Sequence, residues 1–482
     1  MTSRRHFLGG LVATAAMTGK AGPWWFGKKA PNIRFGVISD IHVTTPESTA
    51  KFRRALAYFR DRGADAVMVA GDLTDWGLKS GLQCVADAWY DVFPNDCAPD
   101  GRKVTKLFVT GNHDDEGWWY GDMTLDMHVQ GYSEDEALHR LGMKDCWQEA
   151  FHEPYAEIRR RTVNGYDFIS TEWCRDAKRR DEVAVGKWLL EHADGLKGDK
   201  PFFFFRHSPI PNTVSSSAKD PENALYRALQ AFPNCVAFCG HTHRTFFDEG
   251  SVWQDGFTAI SIPSMEYQSA LRGYENGSDH RRGGSNCSMP RMPTQGEHAD
   301  AQGYFVSVFA DRLEIRRFDF AAGEEIEPWT LPWPIAAGKP FAAGERAKVT
   351  PVPEFPSDAQ VALRVYNADT RGGHWTIFWE LTFPRATAEG GRVLDYEVRA
   401  EMAADGSVAA KKRFLSPAFH KVEREEPETV RVYFDGMDVP ETGRYRLAVY
   451  PRDCFGRAGR PIFTRWLESK PGKGKAKGVD QQ

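Results

Sequence analysis

Between Ile33 and His243, a short apolar run ends in polar, ligand-type side chains five times. The runs are residues 34–39, 66–70, 106–109, 202–206 and 236–239. They are followed in turn by Asp40-Ile41-His42, Gly71-Asp72, Thr110-Gly111-Asn112-His113-Asp114, His207, and Gly240-His241-Thr242-His243. Runs this short and this continuously apolar suit strands buried on both faces, as in a parallel sheet covered by helices. Residues 51–62 read as an amphipathic helix and 82–93 as another, so strand and helix alternate. That order predicts an α/β domain. Open α/β sheets bind ligands at the carboxyl ends of their strands, which is where the five clusters fall.

The residue types point to a metal. His42, His113, His207, His241 and His243, five of the fourteen histidines, stand directly after apolar strands. Imidazole mixed with carboxylate suits zinc, iron or manganese better than calcium or magnesium. One carboxylate can bridge two ions, and such a centre needs about seven protein ligands and a water. Each cluster alone has a simpler account. Asp40 and Asp72 would serve as helix caps, His207 as a hydrogen-bonded core histidine, His241 and His243 as opposite faces of a strand, and Gly111 to Asp114 as a turn. Those accounts do not require the clusters to occupy successive strand ends.

The series D-x-H, G-D, G-N-H-D, H-x-P and G-H-x-H, completed by His207-Ser208-Pro209, resembles the signature of calcineurin-like metallophosphoesterases over roughly residues 33–320. The resemblance implies a four-layer αββα sandwich. It implies two divalent or trivalent transition metals, manganese, iron or zinc, with Asp40, His42, Asp72 and His243 on one and Asp72, Asn112, His207 and His241 on the other. Asp72 would bridge them. A hydroxide shared by the cations would attack a phosphomono- or phosphodiester, His113 would assist the leaving group, and Asp114 would orient His113. No arginine follows Gly71-Asp72 closely, and no cluster supplies a tyrosine ligand. This departs from the phosphoprotein phosphatases and the purple acid phosphatases. The spacing is nearest to bacterial small-molecule phosphodiesterases and exported phosphatases. A nuclease of the same superfamily is the alternative enzyme. The alternative of another kind is an inactive exported binding protein acting through its C-terminal domain.

Outside this pattern the chain reads as follows. Ser3-Arg4-Arg5-His6-Phe7-Leu8 resembles a twin-arginine export signal within residues 1–26. The apolar stretch 7–16 is too short for the ~20 residues a bilayer requires. The expectation is an exported, periplasmic or extracellular protein that meets the twin-arginine machinery and has no stable membrane anchor. A net charge of −4 argues against broad nucleic-acid binding. The metal domain is expected over 32–325, with an aromatic, mostly helical insertion at 115–200 and a Gly/Ser/Arg-rich loop at 264–303. Trp118, Trp119 and Tyr120, a few residues beyond His113, are candidates for contact with a small-molecule phosphoester substrate. So are Arg281 and Arg282, with Arg272 and Arg291 in the same loop. Residues 326–356, rich in proline and alanine, read as a linker, and 469–482 as a basic disordered tail. Residues 357–468 hold six or seven alternating runs, which predict an all-β sandwich loosely similar to fibronectin type III or immunoglobulin-like domains. Of eight cysteines, Cys235 and Cys239 share one strand and would stand about 13 Å apart, too far to pair. No disulfide is proposed.

Overall fold

The run Phe202-Phe203-Phe204-Phe205 shows how one strand serves two cores. In the computed structural model, Phe203 and Phe205 enter one apolar cluster while Phe202 and Phe204 enter another. Side chains alternate across a strand, so four successive phenylalanines specify a strand buried on both sides. The structure describes residues 30–114, 143–173, 178–268, 274–275, 301–334, 339–370, 374–389, 392–416, 427–435 and 442–469.

Strands β1 (Ile33–Ile38), β2 (Ala66–Ala70), β3 (Thr105–Val109), β4 (Ile158–Val163), β5 (Tyr166–Thr171), β6 (Phe202–Arg206), β7 (Cys235–Cys239), β8 (Val252–Asp255), β9 (Phe257–Ser261), β10 (Gln302–Val308), β11 (Arg312–Asp319) and β12 (Glu324–Pro332) form two six-stranded sheets. One has the order β12-β11-β10-β1-β2-β3, the other β4-β5-β6-β7-β9-β8. Strands β1, β2 and β3 run parallel, as do β5, β6, β7 and β9. Phe35, Val37, Met68 and Leu107 of the first sheet share a core with Phe168, Phe203, Phe238 and Ile260 of the second. On the outer face of the first sheet, helix Ala50–Asp61 buries Phe52, Ala55, Leu56 and Phe59, the spacing of one helical stripe. Helices Lys79–Val92 and Met143–Phe151 add Trp89 and Trp147 to that core. Helices Lys178–Glu191 and Ala224–Leu229 cover the second sheet through Val185, Leu189, Leu225 and Leu229. The result is the four-layer α/β sandwich expected. At roughly 1.5–3 kcal/mol per buried large side chain, these three cores are its main driving force.

Two readings of the chain are refined here. The insertion 115–200, expected to be mostly helical, carries the helices Met143–Phe151 and Lys178–Glu191 and also the hairpin β4–β5. Asn164 and Gly165 make its turn with φ of 49° and 76°, the left-handed pair a two-residue hairpin needs. Residues 326–356 are not simply a linker. β12 continues the first sheet to Pro332, with Trp329 and Leu331 buried, and residues 343–349 form a helix.

Beyond lie β13 (Ala362–Thr370), β14 (His374–Pro384), β15 (Asp395–Met402), β16 (Val408–Leu415), β17 (Thr429–Asp435), β18 (Gly443–Arg452), β19 (Ile462–Phe463) and β20 (Leu467–Ser469). They pair as β13-β14-β17 and β16-β15-β18-β19, with β20 also on β18, and all pairings are antiparallel. Leu381, Phe383 and Val432 from one sheet pack on Tyr396, Val398, Leu447 and Val449 from the other, which makes a β-sandwich. The α/β part touches the sandwich at Tyr274, whose hydroxyl donates to the buried Asp395 at 2.9 Å, and at Glu275, which pairs with Lys412 at 3.0 Å.

Several expectations lie outside the described residues. They are the export signal, Trp118, Trp119 and Tyr120, Arg272, Arg281, Arg282 and Arg291, and nearly all of the basic tail. Among the described residues, Cys84, Cys97, Cys146, Cys235, Cys239 and Cys454 are free thiols, and no helix is long and apolar enough to cross a membrane.

Candidate metal centre

The backbone just past the parallel strands is bent into an uncommon shape. Asp40, His42, Asp72, His241 and His243 all have φ between 44° and 69°. For residues with a Cβ this left-handed region costs about 1–2 kcal/mol each, and it persists only where neighbours enforce it. The neighbours here are mutual. Asp40 N donates to Gly71 O at 3.0 Å, His42 N to Asp72 O at 3.0 Å, and Gly240 N to His207 O at 2.9 Å. Two glycines are required by proximity. A Cβ on Gly111 would collide with the Asp72 carboxylate and backbone N, and one on Gly240 with Ser39 Oγ and the Asp40 carboxylate.

The histidine tautomers follow from what each ring meets at its far side. His207 Nδ1 lies 2.9 Å from Ala70 O, and His243 Nδ1 lies 3.0 Å from Tyr267 O. A carbonyl only accepts, so in the neutral ring the hydrogen sits on Nδ1 and Nε2 is a bare acceptor. His42 Nδ1 is held in the same way, 3.0 Å from Asp75 Oδ1. These bare nitrogens then face one another and the carboxylates. His42 Nε2 is 3.3 Å from His243 Nε2 and 3.8 Å from Asp72 Oδ2, and His243 Nε2 is 3.0 Å from Asp40 Oδ1. On the other side, His207 Nε2 is 3.2 Å from Asp72 Oδ2 and 3.0 Å from Asn112 Oδ1. His241 Nδ1 is 2.9 Å from the same Asn112 oxygen and 3.2 Å from His207 Nε2.

Acceptors crowded against acceptors repel unless a cation or a proton lies between them. The first group, Asp40, His42, Asp72 and His243, is buried and offers one ligand atom each within 4.8 Å of all the others. Asp72 also faces the second group, Asn112, His207 and His241. The donor set therefore fits two cations with Asp72 between them, with the outer ring nitrogens of His42, His207 and His243 oriented by hydrogen bonds in the manner of metal sites.

Electrostatics agree. His207 is pushed up to about 9: burial opposes the charge, but the carboxylates of Asp72 and Asp40 overcome it. His241 is lowered to about 4, by burial and then by the charge of His207. Asp40 is held well below the usual carboxylate range. Burial works against this, and His243, His207 and His42 prevail. A site that draws a proton onto His207 offers the same potential to a cation, and cation binding would expel that proton.

Asp114 has a different place from the one the resemblance implies. It is fully buried, and its two oxygens accept Leu73 N at 3.0 Å, Thr74 N at 2.8 Å, Thr74 Oγ1 at 3.0 Å and Gly111 N at 2.7 Å. It fastens the loop after β2 to the loop after β3. The group against His113 is Asp75. His113 Nδ1 lies 2.9 Å from Asp75 O and 3.6 Å from Asp75 Oδ1, and His113 N donates to Asp72 Oδ1 at 3.0 Å. The imidazole of His113 is edge-on to His42 at 4.8 Å and 32% exposed, at the rim of the centre. Sequence reasoning missed Asp75, although it stands three residues after Asp72. It also missed Glu172, whose carboxylate accepts Thr110 N at 2.6 Å and pairs with Arg159, tying β3 to the second sheet.

The strand ends of the α/β sandwich thus gather two sets of acceptors around one shared carboxylate. Residues 33–245 match the family model of calcineurin-like phosphoesterases. Among known proteins the chain is similar to a transmembrane protein with metallophosphoesterase domain from Danio rerio. The two are 27% identical over 214 residues, covering 44% of this chain and 40% of that relative. Solved structures similar to it include a dimetal phosphatase from Danio rerio, at 12% identity, covering 63% of this chain and 100% of the other with a TM-score of 0.37. Another is GAP50, the anchor in the inner membrane complex of Plasmodium, at 14% identity, covering 62% and 89% with a TM-score of 0.35.

Proposed function

We propose that this protein hydrolyses small-molecule phosphoesters at a centre of two transition metals held by Asp40, His42, Asp72, Asn112, His207, His241 and His243. The observation that carries this reading is the position of Asp72 Oδ2, 3.8 Å from His42 Nε2 and 3.2 Å from His207 Nε2, between the two acceptor groups. Two cations, when bound, supply charge neutralisation for a phosphoryl group and an acidified water. The rest falls to the chain itself. Asn112 contributes a neutral amide, which leaves its side of the centre less negative than a third carboxylate would. Asp75 accepts from His113 Nδ1, so Nε2 is the nitrogen left to exchange a proton with a leaving oxygen.

A panel of phosphomonoesters and phosphodiesters, run on protein loaded with manganese, tests this. Turnover of at least one ester class is expected. His113→Ala should keep its metals and lose about 10²–10⁴-fold in turnover, the scale of a general acid, with the larger loss for poorer leaving groups. A loaded wild-type protein that turns over no ester in the panel would sink the proposal. Metal loss in His113→Ala would instead make that residue a ligand.

A further inference from the structure

Two aromatic rings that the motif does not contain stand at opposite ends of the centre. Tyr267 packs on the ligand side formed by Asp40, His42 and His243. Its ring centroid is 4.2 Å from that of His243 and 5.9 Å from that of His42. Trp173 packs on the other side, stacked 6.1 Å from His241 and edge-on 6.0 Å from His207.

Both rings are fixed through their backbones. Ser264 Oγ donates to Asp40 O at 3.1 Å and accepts Glu266 N at 3.0 Å and Tyr267 N at 3.2 Å. Tyr267 O in turn accepts His243 Nδ1. Trp173 N donates to Thr110 Oγ1 at 3.2 Å, beside the loop that bears Asn112 and His113. Tyr267 is 41% exposed, one of few large apolar side chains so exposed among the described residues, while Trp173 is half-buried. A ring serving only to cover metal ligands would be expected to lie flush and buried. An exposed ring on one side and a half-buried one on the other, each backbone-anchored beside a ligand cluster, are placed to meet something flat that arrives from solvent.

Resting on the phosphoesterase reading above, we infer that Tyr267 and Trp173 select phosphoesters that carry a planar aromatic group within a few bonds of the phosphorus. Neither ring supplies charge, so the phosphoryl group is held by the centre and the planar group by the rings. Alkyl phosphates lack the second contact.

Binding of non-hydrolysed probes to manganese-loaded protein, measured by titration calorimetry, tests this without turnover. The probes are methylphosphonate, phenylphosphonate and adenosine 5′-monophosphate, the last two holding the ring next to phosphorus or across a sugar. At least one ring-bearing probe should bind about tenfold more tightly than methylphosphonate. Which of the two does so identifies an aryl ester or a nucleotide as the natural class. Tyr267→Ala or Trp173→Ala should bring that ratio down to about one to three at unchanged metal content, and Tyr267→Phe should retain it. Equal affinity of all three probes for the wild type, or a ratio that survives in both alanine variants, overturns the inference while leaving the phosphoesterase reading intact. Failure of all three probes to bind loaded protein overturns both.

Discussion

Asp72→Asn is expected to empty both halves of the centre at once. The Asp72 carboxylate is nearly inaccessible to solvent and touches each group: Oδ2 faces His42 and His207, and Oδ1 accepts His113 N. Asparagine keeps the shape but removes the charge that two cations would share, and it turns one acceptor into a donor. Turnover should fall by at least about 10²–10³-fold, the scale of losing one principal electrostatic contact in an active site. Bound metal should drop from two towards zero by elemental analysis. Misfolding is a poor alternative explanation, because residue 72 has φ of 48°, a region asparagine tolerates better than most residues. The melting temperature of the metal-free variant should therefore stay close to that of the metal-free wild type. Two metals retained at full turnover would remove Asp72 from the bridging position.

What was legible in the sequence, and what was not, follows from how far each feature depends on distant residues. Phe202 to Phe205 could be read directly, since a period of two in bulky apolar side chains means a strand with two buried faces. The seven residues expected as ligands fall in five clusters, each after its own strand, and two parallel-stranded sheets packed face to face bring those ends together without knowledge of the loops. The hairpin β4–β5 was hidden by Arg159-Arg160-Arg161, which disguise an edge strand as a polar helix face, although Asn164-Gly165 is a turn signal. Pro328 made β12 look like a linker. It lies where the pairing with β11 shifts register, between Trp329 opposite Ile315 and Ile326 opposite Arg317, on a strand at the sheet edge. A bulge on an edge strand is a place where a missing N–H does no harm. Tyr267 and Trp173 could not have been read. Their positions depend on Ser264 reaching Asp40 and Trp173 reaching Thr110, 224 and 63 residues apart in the chain. Asp75 was in plain view beside Asp72, but one acid in a loop has no meaning until His42 and His113 are seen around it.

Asp114→Ala should unfold the site rather than merely slow it, and this separates the position observed for Asp114 from the role of orienting His113. Its carboxylate holds four buried donors from Leu73, Thr74 and Gly111. Truncation leaves them without that partner in a place where the Asp114 side chain reaches no solvent, and each orphaned group costs about 1–3 kcal/mol before relaxation. Partial rearrangement would reduce the sum to about 3–5 kcal/mol, in the range of a broken buried charged network. For a domain of this size that corresponds to a fall of roughly 10 °C in the apparent Tm. Asp114→Asn should be almost as unstable, because its amide sets a donor against donors. Asp75→Ala is the comparison. The Asp75 side chain is 34% exposed and stands beside His42 and His113, so its loss should cost turnover and little stability. Differential scanning calorimetry on metal-free protein, with metal content and turnover measured in parallel, gives both readouts. If Asp114→Ala melts within about 2 °C of wild type, which is under roughly 1 kcal/mol, and loses turnover with its metals in place, then Asp114 acts on His113 after all. The four hydrogen bonds would then be incidental to the stability of the loops.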